Sequence, residues 1–391
     1  MVTIKTSPLL AKIAQVSTII EHLKDGKIYT ILVLACCILR CRSCCLNHCK
    51  VEHECVSGEK AKSSTVYGRF KRIFQTGKGA KIHKTVFVLI LHLVYPFISP
   101  YLIVDRTEFT IGDRWVNLLV FGVVCKGVLI PLVWQDLGKR KSSSQKERLI
   151  LLDKLLAWWK ASGLPRPALS LLGDREFIGQ TWLMALQRRG LTFVIRLKTN
   201  LRFKVWYKGD LKDRTIRLKV LEKYMHKKGL NHMEIVILDE LILNFVVVPN
   251  DDANAKEPFI YLITNLDDLS KVATLYRKRW QIECCFKHLK SNGFDLEKTA
   301  LEGAHKQEIL FSILALTYVL AIMEGILNDY DNTVKQRTFS NGKTYREKSL
   351  FVFGFEILKP KVDNMKLLLR HLKQLLIFCL KQFKYPLFYY T

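Results

Sequence analysis

Acidic residues are scarce in this chain. Of 391 residues, 35 are Asp or Glu against 62 Lys or Arg, which leaves a formal net charge of +27. So large an excess is foreign to an ordinary cytosolic enzyme and calls for a polyanionic partner, nucleic acid first. An anionic membrane surface is the rival partner, yet no clean spanning segment is found. The longest apolar run, Thr85 to Val104, carries His92, Pro96 and Pro100. Two prolines break a spanning helix, so a buried helix followed by a strand is expected there. The run from Ile28 to Leu39 is too short to span. Lys5 and Lys12 interrupt any signal-like N-terminus, and no small-residue cleavage site follows. A cytoplasmic protein with no membrane partner is the expectation. No Gly-rich phosphate loop is present, so nothing points to nucleotide-driven chemistry. No internal repeat is present.

Cysteine is not scarce, but it is oddly placed. Seven of eleven cysteines lie between Cys36 and Cys55, with His48 and His53 nearby. A zinc site needs four ligands, usually in two separated pairs, and no second pair stands at the usual distance. Cys36, Cys37 and Cys41 fit an apolar helical face. The cluster is expected to be structural and metal-free, with zinc as the alternative.

The length allows two to four domains. Residues 1–97 read as a helical N-terminal region. Its basic helix around Tyr67, Arg69, Lys71 and Arg72 suits phosphate or groove contact, or is a solvated basic face. Residues 98–200 read as strand, hairpin, helix, strand, helix, strand. Tyr101 to Val104 is a short strand ending at Asp105. Val116 to Val124 and Val128 to Val133 flank a turn at Cys125-Lys126-Gly127. Ser144 caps a helix running to about Ser162. Ala168 to Leu172 delivers Asp174, and Phe177 to Arg188 is helical. This order fits a mixed α/β sheet with helices on both faces. Residues 201–255 alternate in short runs, including Phe203 to Tyr207 and Ile216 to Val220, and read as a β-rich insertion. There Trp206 is a candidate for stacking on an unpaired base, against the plainer role of packing. Residues 256–328 resume the core: Phe259 to Thr264 is a strand, Asp267 or Asp268 opens a helix, and His305 to Leu327 is an apolar cover. Residues 329–391 form a basic C-terminal region, with Leu350 to Leu358 strand-like or helical.

The most informative segment runs from Tyr276 to Lys290. Tyr276, Arg279, Glu283 and Lys290 stand at offsets of zero, three, seven and fourteen. On one continuous helix they fall within an arc of roughly 60°. Ile282, Phe286 and Leu289 share an adjoining arc that can face a core. An acid flanked by two cations and a phenol suits a phosphodiester and its metal ions.

This pattern, Y-x2-R-x3-E-x6-K, resembles the signature of one branch of bacterial insertion-sequence DDE transposases. Asp105-Arg106-Thr107-Glu108-Phe109 resembles the segment around that family's first catalytic aspartate, with Phe109 where Trp is usual. The stretch from Val116 to Gly138 resembles its hairpin. Gly173-Asp174-Arg175-Glu176-Phe177-Ile178-Gly179 resembles the segment around its second aspartate. The matches run in family order from Asp105 to Lys290. Tyr345-Arg346-Glu347-Lys348 spells the same letters without the spacing and is set aside.

The resemblance implies a ribonuclease H-like core with the β insertion between the second aspartate and the glutamate. It implies that Asp105, Asp174 and Glu283 are catalytic and bind Mg2+, with Mn2+ able to substitute. Three carboxylates suit two magnesium ions, which activate an oxygen nucleophile and neutralise charge at phosphorus. Tyr276, Arg279 and Lys290 would contact DNA, Arg279 either pairing with Glu283 or gripping a phosphate. The N-terminal region, with Arg69, Lys71 and Arg72, would bind transposon ends. The partners implied are double-stranded DNA, as ends and target, and a second copy in a homodimer on paired ends. The expected activity is end cleavage and strand transfer, in a bacterial cytoplasm or on its nucleoid. A nuclease of the same fold without joining, and an inactive DNA-binding remnant, are the alternatives.

Overall fold

The computed structural model describes residues 26–382 apart from 76, 78, 208–209, 212–215, 238–240, 251–256, 291–292, 330–334, 339–341 and 343. The N-terminal part is helical as far as it is described. Helix α1 (Gly26–Cys41) is followed by two short helical turns, then α2 (Ser63–Ile73) and α3 (Gly79–Val94). A 3-10 turn at Tyr95–Phe97 leads into the first strand. Cys36 and Cys37 are fully buried on α1 and act as small apolar side chains.

The sheet begins with three antiparallel strands: β1 (Ile98–Ile111), β2 (Arg114–Cys125) and β3 (Val128–Asp136). Lys126 and Gly127 turn between β2 and β3 at φ 48° and 84°. Two left-handed residues in a row match the right-handed twist of the hairpin's strands. Helix α4 (Gln145–Ala161) starts at a reciprocal cap between Ser144 and Glu147. β4 (Ser170–Gly173) lies parallel to β1. Helix α5 (Gln180–Arg188) then leads to β5 (Thr192–Arg196), parallel to β4.

The insertion supplies β6 (Arg202–Tyr207), β7 (Asp210–Leu211), β8 (Ile216–Arg217), helix α6 (Leu218–Lys227), β9 (His232–Ile237) and β10 (Leu241–Pro249). β11 (Phe259–Thr264) returns to the core between β5 and β10. The path β3-β2-β1-β4-β5-β11-β10-β9-β6-β7 is therefore one continuous mixed sheet, with β8 on β6. Helices α7 (Val272–Arg277), α8 (Trp280–Lys290), α9 (Ala304–Asn328), α10 (Leu350–Leu358) and α11 (Met365–Gln382) complete the layers, with a small hairpin β12 (Gln336–Thr338) and β13 (Thr344–Arg346) before α10.

Three readings of the sequence are corrected. The run Ile216 to Val220 is strand only at its first two residues. Leu218, Leu221 and Met225 are buried at helical spacing, and α6 forms instead. β1 does not end at Asp105 but continues to Ile111 against β2. The segment Tyr276 to Lys290 is not one helix, because residues 278–279 form a turn between α7 and α8.

Two helical stretches, 79–97 and 304–328, are long and apolar enough to cross a membrane by length and composition. The apolar window of the second is 100% buried inside the protein. Its burial has a specific cause in α10. A Cβ on Gly354 would run into the carbonyl oxygen of Ala321, and one on Gly325 into that of Leu350. The two backbones therefore touch where α10 crosses α9.

Candidate active site

Asp105 and Asp174 occupy adjacent register positions. β1 and β4 pair from Tyr101↔Ser170 to Val104↔Gly173, and each acid is the residue that follows the last pair, Asp105 within β1 and Asp174 just past the end of β4. Parallel strands lie about 4.8 Å apart, so the acids start as neighbours. Glu283 arrives in the first turn of α8. Its helix packs Ile282, Phe286 and Leu289 inward, which turns Glu283 toward β1.

Arg279 ties two of the acids together. Its guanidinium donates to Asp105 Oδ2 at 3.1 Å and to Glu283 Oε1 at 2.6 Å. Tyr276 Oη donates to Asp174 Oδ1 at 3.4 Å. The Arg106 amide donates to Asp105 Oδ1 at 2.8 Å. The turn at 278–279 does not spoil the constellation, because Arg279 and Glu283 keep the i, i+4 relation and pair, one of the two roles expected of Arg279. Burial pushes the Asp105 carboxyl up to about 6, with Asp174 and Glu176 adding to the rise and Arg279 opposing it. Burial also raises the Tyr276 phenol above its ordinary range.

Lys290 does not point freely to solvent. Its Nζ donates to the Glu108 carbonyl at 2.6 Å and lies 5.4 Å from the Phe109 ring centroid. Burial lowers its pKa. Phe109 thus packs against Lys290.

The other expected contacts lie elsewhere. On α2, Lys71 and Arg72 are exposed, whereas Arg69 is paired with Glu59 at 2.9 Å. The side chain of Trp206 lies outside the described residues, as does that of Phe203. Arg346 pairs with Asp329 and Lys348 with Glu356, so neither residue of the look-alike tetrapeptide joins the site. Among the cysteines, Cys41 Sγ and Cys49 Sγ come within 3.9 Å. Among the described residues no group of three or more His, Cys, Asp or Glu stands ready to hold a metal ion, at the cysteines or at the acids. At the acids Arg279 supplies the positive charge.

Several site residues escaped the sequence reading. Arg106 and Glu176 pair beside the two aspartates. Trp280, which follows Arg279, is 62% exposed. A cavity of about 440 Å³ opens between it, Tyr276, Arg279 and Arg196. The signal for Trp280 is an aromatic directly after Arg279, off the apolar phase of α8.

The family model described as the transposase DDE domain matches residues 100–320. That stretch is more than half of the chain, and the chain belongs to this family. No curated protein matches. Among solved structures, the cryo-EM structure of the piggyBac transposase synaptic complex with hairpin DNA is similar with a TM-score of 0.41 and 10% sequence identity, over 98% of this chain and 81% of that chain. A likeness this distant carries no activity across.

Proposed function

We propose that the chain is a DNA transposase of the insertion-sequence type, with a ribonuclease H-like core that cleaves transposon ends and joins them to target DNA. One observation carries the reading: Asp105 of β1 and Glu283 of α8 meet on Arg279, and Asp174, held by Tyr276, follows β4 beside Asp105, all inside the residues the family model covers. The donor set is carboxylate oxygen throughout, which suits Mg2+ or Mn2+. Burial pushes the Asp105 carboxyl up to about 6 even though Arg279 opposes the rise. Asp105, Asp174 and Glu283 would hold the metal. When bound, it supplies an activated oxygen nucleophile and charge neutralisation at phosphorus.

The remaining roles belong to the chain's own groups. Arg279 presents a forked guanidinium to a phosphate once it gives up a carboxylate. Tyr276 orients Asp174 through its hydroxyl. Lys290 stiffens β1 beyond Asp105 and leaves its charge near the DNA path. Trp280 offers an exposed ring to a base beside the cavity. The partners are double-stranded DNA, as ends and target, and a second copy of the chain on paired ends, in a bacterial cytoplasm.

A labelled end fragment incubated with the full chain and Mg2+ separates the readings. Nicked ends together with joined products support the transposase. Nicking without joined products points to a nuclease of the same fold. Binding without cleavage points to an inactive remnant.

The basic helix α2 has its own test. Lys71→Ala and Arg72→Ala are each expected to lower the slope of log affinity against log salt by about 0.9. Arg69→Ala should change it less, since Glu59 already holds that guanidinium. Equal slopes for Lys71→Ala, Arg72→Ala and the wild type would return α2 to a solvated face.

A further inference from the structure

The backbone ladder between β1 and β4 stops one residue short of the two aspartates. Its last pair is Val104↔Gly173. Beyond it no strand pairing holds Asp105 beside Asp174. The next side chains take over that task. Arg106 follows Asp105 and points to the opposite face of β1, as alternation requires. Its Nε donates to both carboxylate oxygens of Glu176, at 2.8 and 2.7 Å. Glu176 stands two residues after Asp174.

Both ends of this bridge are themselves held. Arg106 Nη1 donates to Glu108 Oε1 at 2.6 Å and to Asn117 Oδ1 at 2.9 Å. Asn117 is fully buried and donates in turn to the carbonyls of Lys139 and Lys141. Glu176 accepts a further bond from Ser143 Oγ at 3.0 Å. Ser143 is fixed by Arg148, which is 4% exposed and lies over the Phe177 ring. A surface ion pair swings freely, but this one has no slack at either end.

We propose that Arg106 and Glu176 are positioning residues: their clasp extends the β1–β4 pairing by one step and sets the separation of the Asp105 and Asp174 carboxylates. The inference rests on the proposal that those carboxylates hold a divalent cation. Metal ligands tuned by such outer partners lose affinity when the partners are removed, commonly 10–100-fold.

The test needs no DNA and no turnover. The full chain is melted in rising Mn2+, and the concentration giving half of the maximal rise in Tm is read. Glu176→Gln and Arg106→Gln are each expected to raise that midpoint about tenfold, while affinity for DNA in chelator stays as in the wild type. The double variant should raise it no further than either single, because both remove one interaction. Ser143→Ala, which removes only one donor to Glu176, is a milder variant that keeps the fold and should shift the midpoint about threefold. Lower melting temperatures with unchanged midpoints would make the pair a mere structural bridge and overturn the proposal. Midpoints that multiply in the double variant would overturn it as well. A wild type whose Tm ignores Mn2+ would defeat the metal reading itself, and the clasp with it.

Discussion

Asp105→Asn, Asp174→Asn and Glu283→Gln are each expected to cut Mg2+-dependent strand cleavage by about a thousandfold or more, while DNA binding in chelator stays within about twofold. The size follows from the chemistry assigned to them. Charge stabilisation by a bound metal is worth several kcal/mol, and each 1.36 kcal/mol is tenfold in rate. The sparing of binding follows from charge. Each substitution removes one negative group from a site that must admit a polyanion, so binding is not weakened by the change itself. Wild-type nicking by any one of the three would remove that residue from the set.

Asp105→Asn carries a second expected result that runs the other way. In the folded chain the Asp105 carboxyl titrates near 6, against 3.8 as its ordinary value. An acid whose folded pKa is raised holds its proton more tightly folded than unfolded. Below about pH 4 it is protonated in both states and contributes nothing. Between about pH 4 and 6 stability falls as pH rises, and above 6 the whole penalty is present. Two pKa units correspond to at most about 3 kcal/mol. In chelator, Asp105→Asn should therefore melt a few degrees above the wild type at pH 7.5 and show no such gain at pH 4. An equal gain at both pH values would mean that the carboxylate is not strained by burial.

Much of this site was legible because its key relations are local. Arg279 and Glu283 stand four apart, and the pair forms even though a turn at 278–279 interrupts the helix. No Pro or Gly marks that turn, so nothing in the sequence announced it. The hairpin at Lys126-Gly127 and the cap at Ser144 were equally local, each specified by two or three residues. What stayed hidden was non-local or ambiguous in period. Arg106 and Glu176 are seventy residues apart, and each alone looks like a surface charge. Leu218 belongs both to an alternating run with Ile216 and Val220 and to a helical one with Leu221 and Met225. Exposed Val220 was counted as a strand residue, and the helix was missed. Asp105 was placed at a strand end because apolar residues stop there. β1 continues through Arg106 and Glu108 because the long hairpin partner β2 still pairs with it. The core position of the acids was visible; the way they are held was not.

The largest expected loss of stability comes from the crossing of α9 and α10. Gly354→Ala is expected to cost about 3 kcal/mol. Overpacking usually costs about 1–3 kcal/mol because side chains can move aside. Here the new methyl group meets the Ala321 carbonyl and the Gly325 amide of α9, and main chain cannot step away alone. The helices must part. α10 carries Phe351, whose ring centroid lies 5.0 Å from that of Tyr318 on α9 and 4.7 Å from that of His288 on α8. Parting therefore loosens the far end of the helix that bears Glu283. Gly325→Ala should behave alike, since its methyl group meets the Leu350 carbonyl. The double variant should cost clearly less than the sum, because one substitution already separates the helices. Urea unfolding of the three variants gives the costs directly. Variants within about 0.5 kcal/mol of the wild type would show that α10 does not rest on α9 through these two glycines.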